Sequence, residues 1–157
     1  MDRKFDALCP VYQDNYGDIV HIILDNGEIK RTNRKIGTIF KLMAQNQMQD
    51  IQLIRTNVQK LLQRKRNIPV VLGPDDIYIP IKTRKPLTKR DPCYSYIRMK
   101  AIKSYGFHTI QLKSKRRIST LYNKKQTEEA IIRGRCAKVL MDYRQEIFNQ
   151  MENVILK

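Results

Sequence analysis

Between Lys82 and Lys125 the chain sets cationic side chains among apolar residues that recur at every second position, and this combination most constrains what it can fold into. The 44 residues hold 14 lysines and arginines against one acid, Asp91, and so carry +13 of the chain's formal +16. The other 113 residues, with 17 cations and 14 acids, are nearly balanced. A solvated surface ordinarily mixes its signs, because like charges at close range repel and oppose compaction. A segment that keeps the repulsion and still patterns its apolar residues reads as a folded face awaiting a polyanion.

The rest of the composition sets the class. A chain of 157 residues is one domain's worth and can bury a sizeable core. Its hydrophobic share, 41%, is below average but patterned, which points to a folded chain and not a disordered one. A pI near 10.0 fits a nucleic-acid binder or a peripheral membrane protein. No apolar run approaches the roughly 20 residues needed to span a bilayer, and Met1 to Tyr12 does not have the form of a signal peptide. Cys9, Cys93 and Cys136 are odd in number and lack a CxxC pair. With His21 and His108 they offer neither a disulfide framework nor a zinc set, and the expectation is buried reduced thiols in a cytoplasmic protein. No cofactor is implied.

The periodicity predicts an α+β fold: an antiparallel sheet from two or more hairpins, a helical segment in the middle, and a long C-terminal helix. A single domain over 1–157 divides into an N-terminal hairpin at 5–32, the helical segment at 36–66, a basic sheet region at 68–122 and the helix at 123–152. Strands at 5–12 and 18–24 are joined by the turn-rich Gln13-Asp14-Asn15-Tyr16-Gly17, and Asn26-Gly27 returns the chain as a third strand at 28–32. Ile36, Ile39, Phe40 and Met43, then Ile51, Ile54, Val58, Leu61 and Leu62, form helical stripes for two helices or one bent one. Arg64-Lys65-Arg66 ends the second, where cations meet the negative end of the helix dipole or a nucleic acid.

Val70–Leu72 and Ile77–Ile81 read as strands, with Pro80 predicting an edge position or a strand end. Lys82 to Pro92 is a basic loop. Residues 93–102 read as one strand with Ile97, Met99 and Ala101 inward and Tyr94, Tyr96, Arg98 and Lys100 outward. Ser104-Tyr105-Gly106 turns the chain into a strand at 107–112, and a second turn at Lys113–Arg116 leads into Arg117–Tyr122. Asn123 and Gln126 form a capping-box pattern. Ile132, Cys136, Val139, Leu140, Tyr143, Ile147 and Met151 then stripe a helix expected to pack across the sheet, with part of the stripe as an alternative dimer seam. Gly134 inside that helix suggests close packing or a bend.

One block carries a resemblance. Pro69-Val70-Val71-Leu72, a turn, Ile77-Tyr78-Ile79-Pro80-Ile81-Lys82-Thr83, a polar loop, Cys93-Tyr94 and Ile97 resemble the central block of the ComK competence transcription factors. The order of elements matches over nearly the whole chain. Tyr94 stands where the family tends to carry Trp, and Ile81 separates the Pro-Thr pair. The resemblance implies a cytoplasmic bacterial transcriptional activator of competence genes. Such a protein binds AT-rich double-stranded DNA largely through the minor groove and assembles as a homo-oligomer, a dimer or higher.

The residues themselves nominate a DNA-binding set: Lys82, Arg84, Lys85, Lys89, Arg90, Arg98, Lys100, Lys113, Lys115, Arg116 and Arg117. Each cation that neutralises a phosphate releases condensed counterion, so binding through such a set depends steeply on salt. Arg84, Arg90, Arg98, Arg116 and Arg117 are the candidates for entering a narrow A-tract minor groove. Two alternatives stand beside duplex DNA. Tyr94 and Tyr96 on the outward face would stack on unpaired bases and make the chain an RNA- or single-strand-binding module. Asp18, Glu28 and Lys30 have the D…ExK spacing of metal-dependent nucleases, in which two carboxylates hold Mg²⁺.

Overall fold

β1 (Phe5–Gln13), β2 (Gly17–Leu24) and β3 (Ile29–Thr32) form an antiparallel meander, and its second turn carries Gly27 at φ 86°, a conformation that glycine adopts without strain. The computed structural model describes residues 4–15 and 17–156. Met1–Arg3, Tyr16 of the expected first turn and Lys157 lie outside the described residues.

The helical stripes resolve into two helices, α1 (Ile36–Asn46) and α2 (Ile51–Leu62). Met48 at φ 57° breaks the chain between them, and Asp50 restarts it: its carboxylate accepts the Gln52 N–H at 2.9 Å and the Leu53 N–H at 3.3 Å. Gln63, left-handed at φ 51°, ends α2 before the basic triplet. Arg64-Lys65-Arg66 therefore lies beyond the helix, folded back on itself by an Arg64 Nε bond to the Arg66 carbonyl at 2.7 Å, and Lys60 is the cation of the last turn.

β4 (Val70–Gly73), β5 (Asp76–Lys82) and β6 (Tyr94–Arg98) complete a six-stranded sheet in the order β3-β2-β1-β6-β5-β4. The edge position expected from Pro80 is not found, because β5 lies between β6 and β4. β4 is short and its pairing ends at Tyr78, so the flank of β5 beside Pro80 is locally free of that ladder.

The single strand expected over 93–102 is broken. A 3₁₀ turn at Met99–Ala101 carries the chain out of the large sheet into β7 (Ile102–Gly106), which pairs with β8 (Thr109–Leu112) and β9 (Arg117–Ser119) in a separate three-stranded sheet. The hairpin turn falls at Phe107-His108, with His108 at φ 54°, and not at Ser104–Gly106. The last strand stops at Ser119.

The two sheets and three helices stack in layers. α1 and the first turns of α2 cover one face of the large sheet, burying Leu8, Val20, Ile39, Phe40 and Tyr78, while Val58 further along α2 packs against Val71, Ile77 and Ala137. The small sheet and α3 (Lys124–Leu156) cover the other, burying Ala7, Ile79, Ile97, Ile110, Leu112 and Ala130. α3 begins with the expected capping box: Gln126 Oε1 accepts the Asn123 N–H at 3.0 Å, and Asn123 Oδ1 accepts the Gln126 N–H at 2.8 Å. No helix among the described residues is long and apolar enough to cross a membrane.

α3 corrects the expected stripe. Its buried residues are Thr127, Ala130, Ile131, Gly134 and Ala137, all small or β-branched, whereas Ile132, Cys136, Val139 and Tyr143 face solvent. The helix comes so close to β5 that large side chains cannot fit between them. A Cβ on Gly134 would stand 2.8 Å from Ile79 Cγ2 and nearer still to Met99 Sδ. Gly134→Ala is therefore expected to destabilise the domain by about 1–2 kcal/mol in a urea titration, overpacking outweighing the gain in helix propensity. A stabilised variant would show that Met99 and Ile79 move aside.

Candidate nucleic-acid interface

The eleven nominated cations fall into three groups. Arg98 and Lys100 are neutralised by the fold. Arg98 donates from Nη2 to Asp6 Oδ1 at 2.7 Å beneath the helices, with its side chain only 11% exposed, and Lys100 pairs with Asp75. The expectation that Tyr94, Tyr96, Arg98 and Lys100 form an open outward face is thus overturned, because α1 and α2 roof that face. Arg84 is a pin. It bonds Asp18 at 2.8 Å and the Pro92 carbonyl at 2.6 Å, fastening the loop between β5 and β6 to the start of β2.

The other eight, Lys82, Lys85, Lys89, Arg90, Lys113, Lys115, Arg116 and Arg117, have no carboxylate within ion-pair distance among the described residues. All but Lys82 are exposed. They occupy two segments, the 83–92 loop with Lys82 at its root, and the β8–β9 turn with the start of β9. Each segment is built to hold its shape. In the loop, Asp91 accepts the Leu87 and Thr88 N–H groups at 2.9 and 2.8 Å, and these hydrogen bonds, the Thr88 N–H first, hold its carboxyl below the usual carboxylate range. In the turn, Lys115 takes φ 75°, and Arg116 Nε bonds the Gly27 carbonyl at 2.7 Å, docking the turn on the β2–β3 hairpin.

Between the segments lies an open cleft of about 560 Å³. Its floor is the part of the β1–β2 face that the small sheet leaves bare, with Cys9, Val11 and His21. Its rims carry Arg84 and Lys85 on one side and Arg117 on the other. β9 is the edge strand beside it, and the chain just past it is tied to β5 by the Leu121 N–H bond to the Lys82 carbonyl at 2.9 Å. Fixed cations along an open cleft focus a positive potential that attracts a polyanion before contact.

The aromatic residues are placed differently from expectation. Tyr96 packs edge-on against Phe40 of α1 with centroids 5.2 Å apart, and Tyr94 meets Tyr122 at 6.5 Å while its hydroxyl accepts from Asn67. Both are half-buried and line a cavity of about 420 Å³ beside α1 and α2, so they do not stand on an open outward face. Phe107, 79% exposed at the β7–β8 turn, is the aromatic that projects into solvent there, and the sequence pattern had placed it inside a strand. Arg31 also escaped the sequence reading. It stands opposite His21 in the β2–β3 register, and the Asn-Gly hairpin with its two-residue alternation was the signal for it.

Asp18, Glu28 and Lys30 do not converge. Glu28 abuts Leu24 at one end of β2, and Asp18 lies at the other end, about 20 Å away at strand rise, bound to Arg84. No cluster of His, Cys, Asp or Glu suited to a metal ion occurs among the described residues. Burial pushes the Cys9 thiol up, as for an inert structural cysteine, and Cys93 is half-buried, whereas Cys136 is exposed and departs from the expectation of buried thiols.

His21 on the cleft floor makes no hydrogen bond through Nε2. Burial, and then the charge of Arg31, hold its pKa below the ordinary 6.5 of histidine. Because the folded pKa lies below the unfolded one, protonation favours unfolding. The penalty is absent above about 6.5, grows as pH falls towards the folded pKa and is complete below it. Phosphates in the cleft would oppose Arg31 and favour the imidazolium, so the His21 midpoint in an NMR titration is expected to rise on binding a duplex. An unmoved midpoint would remove the cleft floor from the interface. Comparison of the chain with family models, curated proteins and solved structures finds no match.

Proposed function

We propose that the chain binds double-stranded DNA along the cleft, and that its role is that of a transcriptional activator of the competence-factor kind. The observation that carries the binding claim is the set of eight cations without acidic partners among the described residues, on two braced segments flanking one cleft. A folded chain that leaves so many like charges unneutralised beside one another forgoes stability that a polyanion restores. Arg90 and Arg117, exposed and unpartnered, are suited to enter a narrow minor groove, while Lys85, Lys89, Lys113 and Lys115 fit phosphate. The preference for AT-rich sites and the activator role rest on the resemblance in residues 69–97.

The single-strand reading loses the open outward stacking face expected for it, since Tyr94 and Tyr96 are half-buried with one ring contact each, to Tyr122 and Phe40. Anisotropy titrations with an A/T-tract duplex, a mixed-sequence duplex and a single strand, each across a salt series, test the proposal. Tighter binding to the A/T duplex that persists at physiological salt is expected. Equal affinities that vanish together as salt rises would reduce the claim to a nonspecific basic face, and tightest binding to the single strand would reverse it.

A further inference from the structure

α3 is longer than the domain that it serves. From Asp142 to Leu156 every residue is exposed, so the helix leaves the body of the protein for about 22 Å at 1.5 Å per residue. A free helical segment of that length is marginal in water. Yet it is not polar. Ile132, Cys136, Val139, Tyr143 and Ile147 follow one another at steps of four, three, four and four, which holds them in one line on a straight helix. That line is turned half a circle from the face that Thr127, Ala130, Gly134 and Ala137 bury. Val139 is 64% and Tyr143 61% exposed.

The charges indicate what covers the line. The root of the helix carries Lys124, Lys125, Arg133, Arg135 and Lys138 against Glu128 and Glu129, whereas its projecting part carries Asp142, Glu146 and Glu152 against Arg144. A strongly basic chain thus ends its helix on a net acidic segment. A parallel partner helix would set like against like, and an antiparallel copy sets the acidic tip on the basic root.

We propose that the outward face of α3 pairs, antiparallel and about a two-fold axis close to Val139 and Leu140, with the same face of a second copy of this chain. Ile132 then meets the partner's Ile147, Cys136 meets the partner's Tyr143, and Val139 meets the partner's Leu140. Glu146 flanks the partner's Arg135, and Asp142 flanks the partner's Lys138. Antiparallel helices interlocked in this way bury the apolar line and satisfy the flanking charges together. The pairing is independent of the DNA-binding reading, because it uses a different face and needs no nucleic acid.

Sedimentation velocity of the full chain without nucleic acid is the test. The native chain is expected to sediment as a dimer at high micromolar concentration, and Val139→Glu with Ile147→Glu as a monomer with an unchanged thermal transition of the domain. Glu146→Arg or Arg135→Glu alone is expected to weaken association by about tenfold, and the two together to restore it. Under mild oxidation Tyr143→Cys is expected to cross-link through native Cys136, while the native chain does not. A monomeric native chain, a dimer indifferent to the double glutamate variant, or cross-linking of the native chain through Cys136 itself, as a parallel pair would give, each overturns the proposal. Should the double glutamate variant fail to fold, the charge-reversal pair decides.

Discussion

Asp6→Ala is expected to lower the stability of the domain by about 3–5 kcal/mol. The Asp6 side chain is 3% exposed and that of Arg98 11%, and their 2.7 Å bond lies on the sheet face that α1 and α2 cover. Arg98 Nε is already buried without a partner, so removal of the carboxylate leaves a guanidinium with little else to neutralise it. Asp6→Asn keeps an acceptor without the charge and should fall between native and Ala. Asp6→Ala combined with Arg98→Met, which fills the space with apolar atoms, should recover most of the loss, because the penalty resides in the unpaired charge. Urea midpoints of the four proteins at constant slope give the comparison. A loss under about 1 kcal/mol for Asp6→Ala would mean that water reaches the pair as at a surface ion pair.

Replacing Lys85, Lys113, Lys115 and Arg117 together by Gln is expected to reduce the salt slope of duplex binding by about three to four, at roughly 0.9 for each phosphate that is no longer neutralised. The four side chains are exposed and lack acidic partners among the described residues, so their removal relieves repulsion and should leave the urea midpoint unchanged or slightly raised. Lys41 and Lys60, exposed on α1 and α2 on the far side of the large sheet, provide the control: their replacement should leave the slope unchanged. The same fall in slope per cation removed in the two variants would show that binding follows net charge and not the cleft.

Local signals were legible in the chain, and their physical cause is local. Asn26-Gly27 marks the β2–β3 turn because Gly27 takes φ > 0 without strain, and Asn123 with Gln126 fixes the start of α3 through bonds that span three. The α+β class follows from apolar periods that switch between two and 3.6 residues. Gly134 announced a close approach that the structure supplies at Ile79. The segments that carry the free cations were also legible, since the charge imbalance of residues 82–125 is a property of composition.

Tertiary structure alone decided which of those cations remain available, and which apolar stripe is core. Asp6 is 92 residues from Arg98 and Asp18 is 66 from Arg84, and no local period reveals a partner at that separation. Alternation shows that Tyr96 and Arg98 share a face, but not that a helical pair elsewhere in the chain will roof it. In α3, the sequence by itself determined a helix with a large apolar line and a small-residue line on opposite faces. Hydrophobicity favours burying the first, but the approach of the helix to β5 leaves room along its closest line only for Thr127, Ala130, Gly134 and Ala137, with Ile131 buried at the flank. Close packing thus selected the small-residue face for the core, and it left the large apolar residues outside, facing solvent.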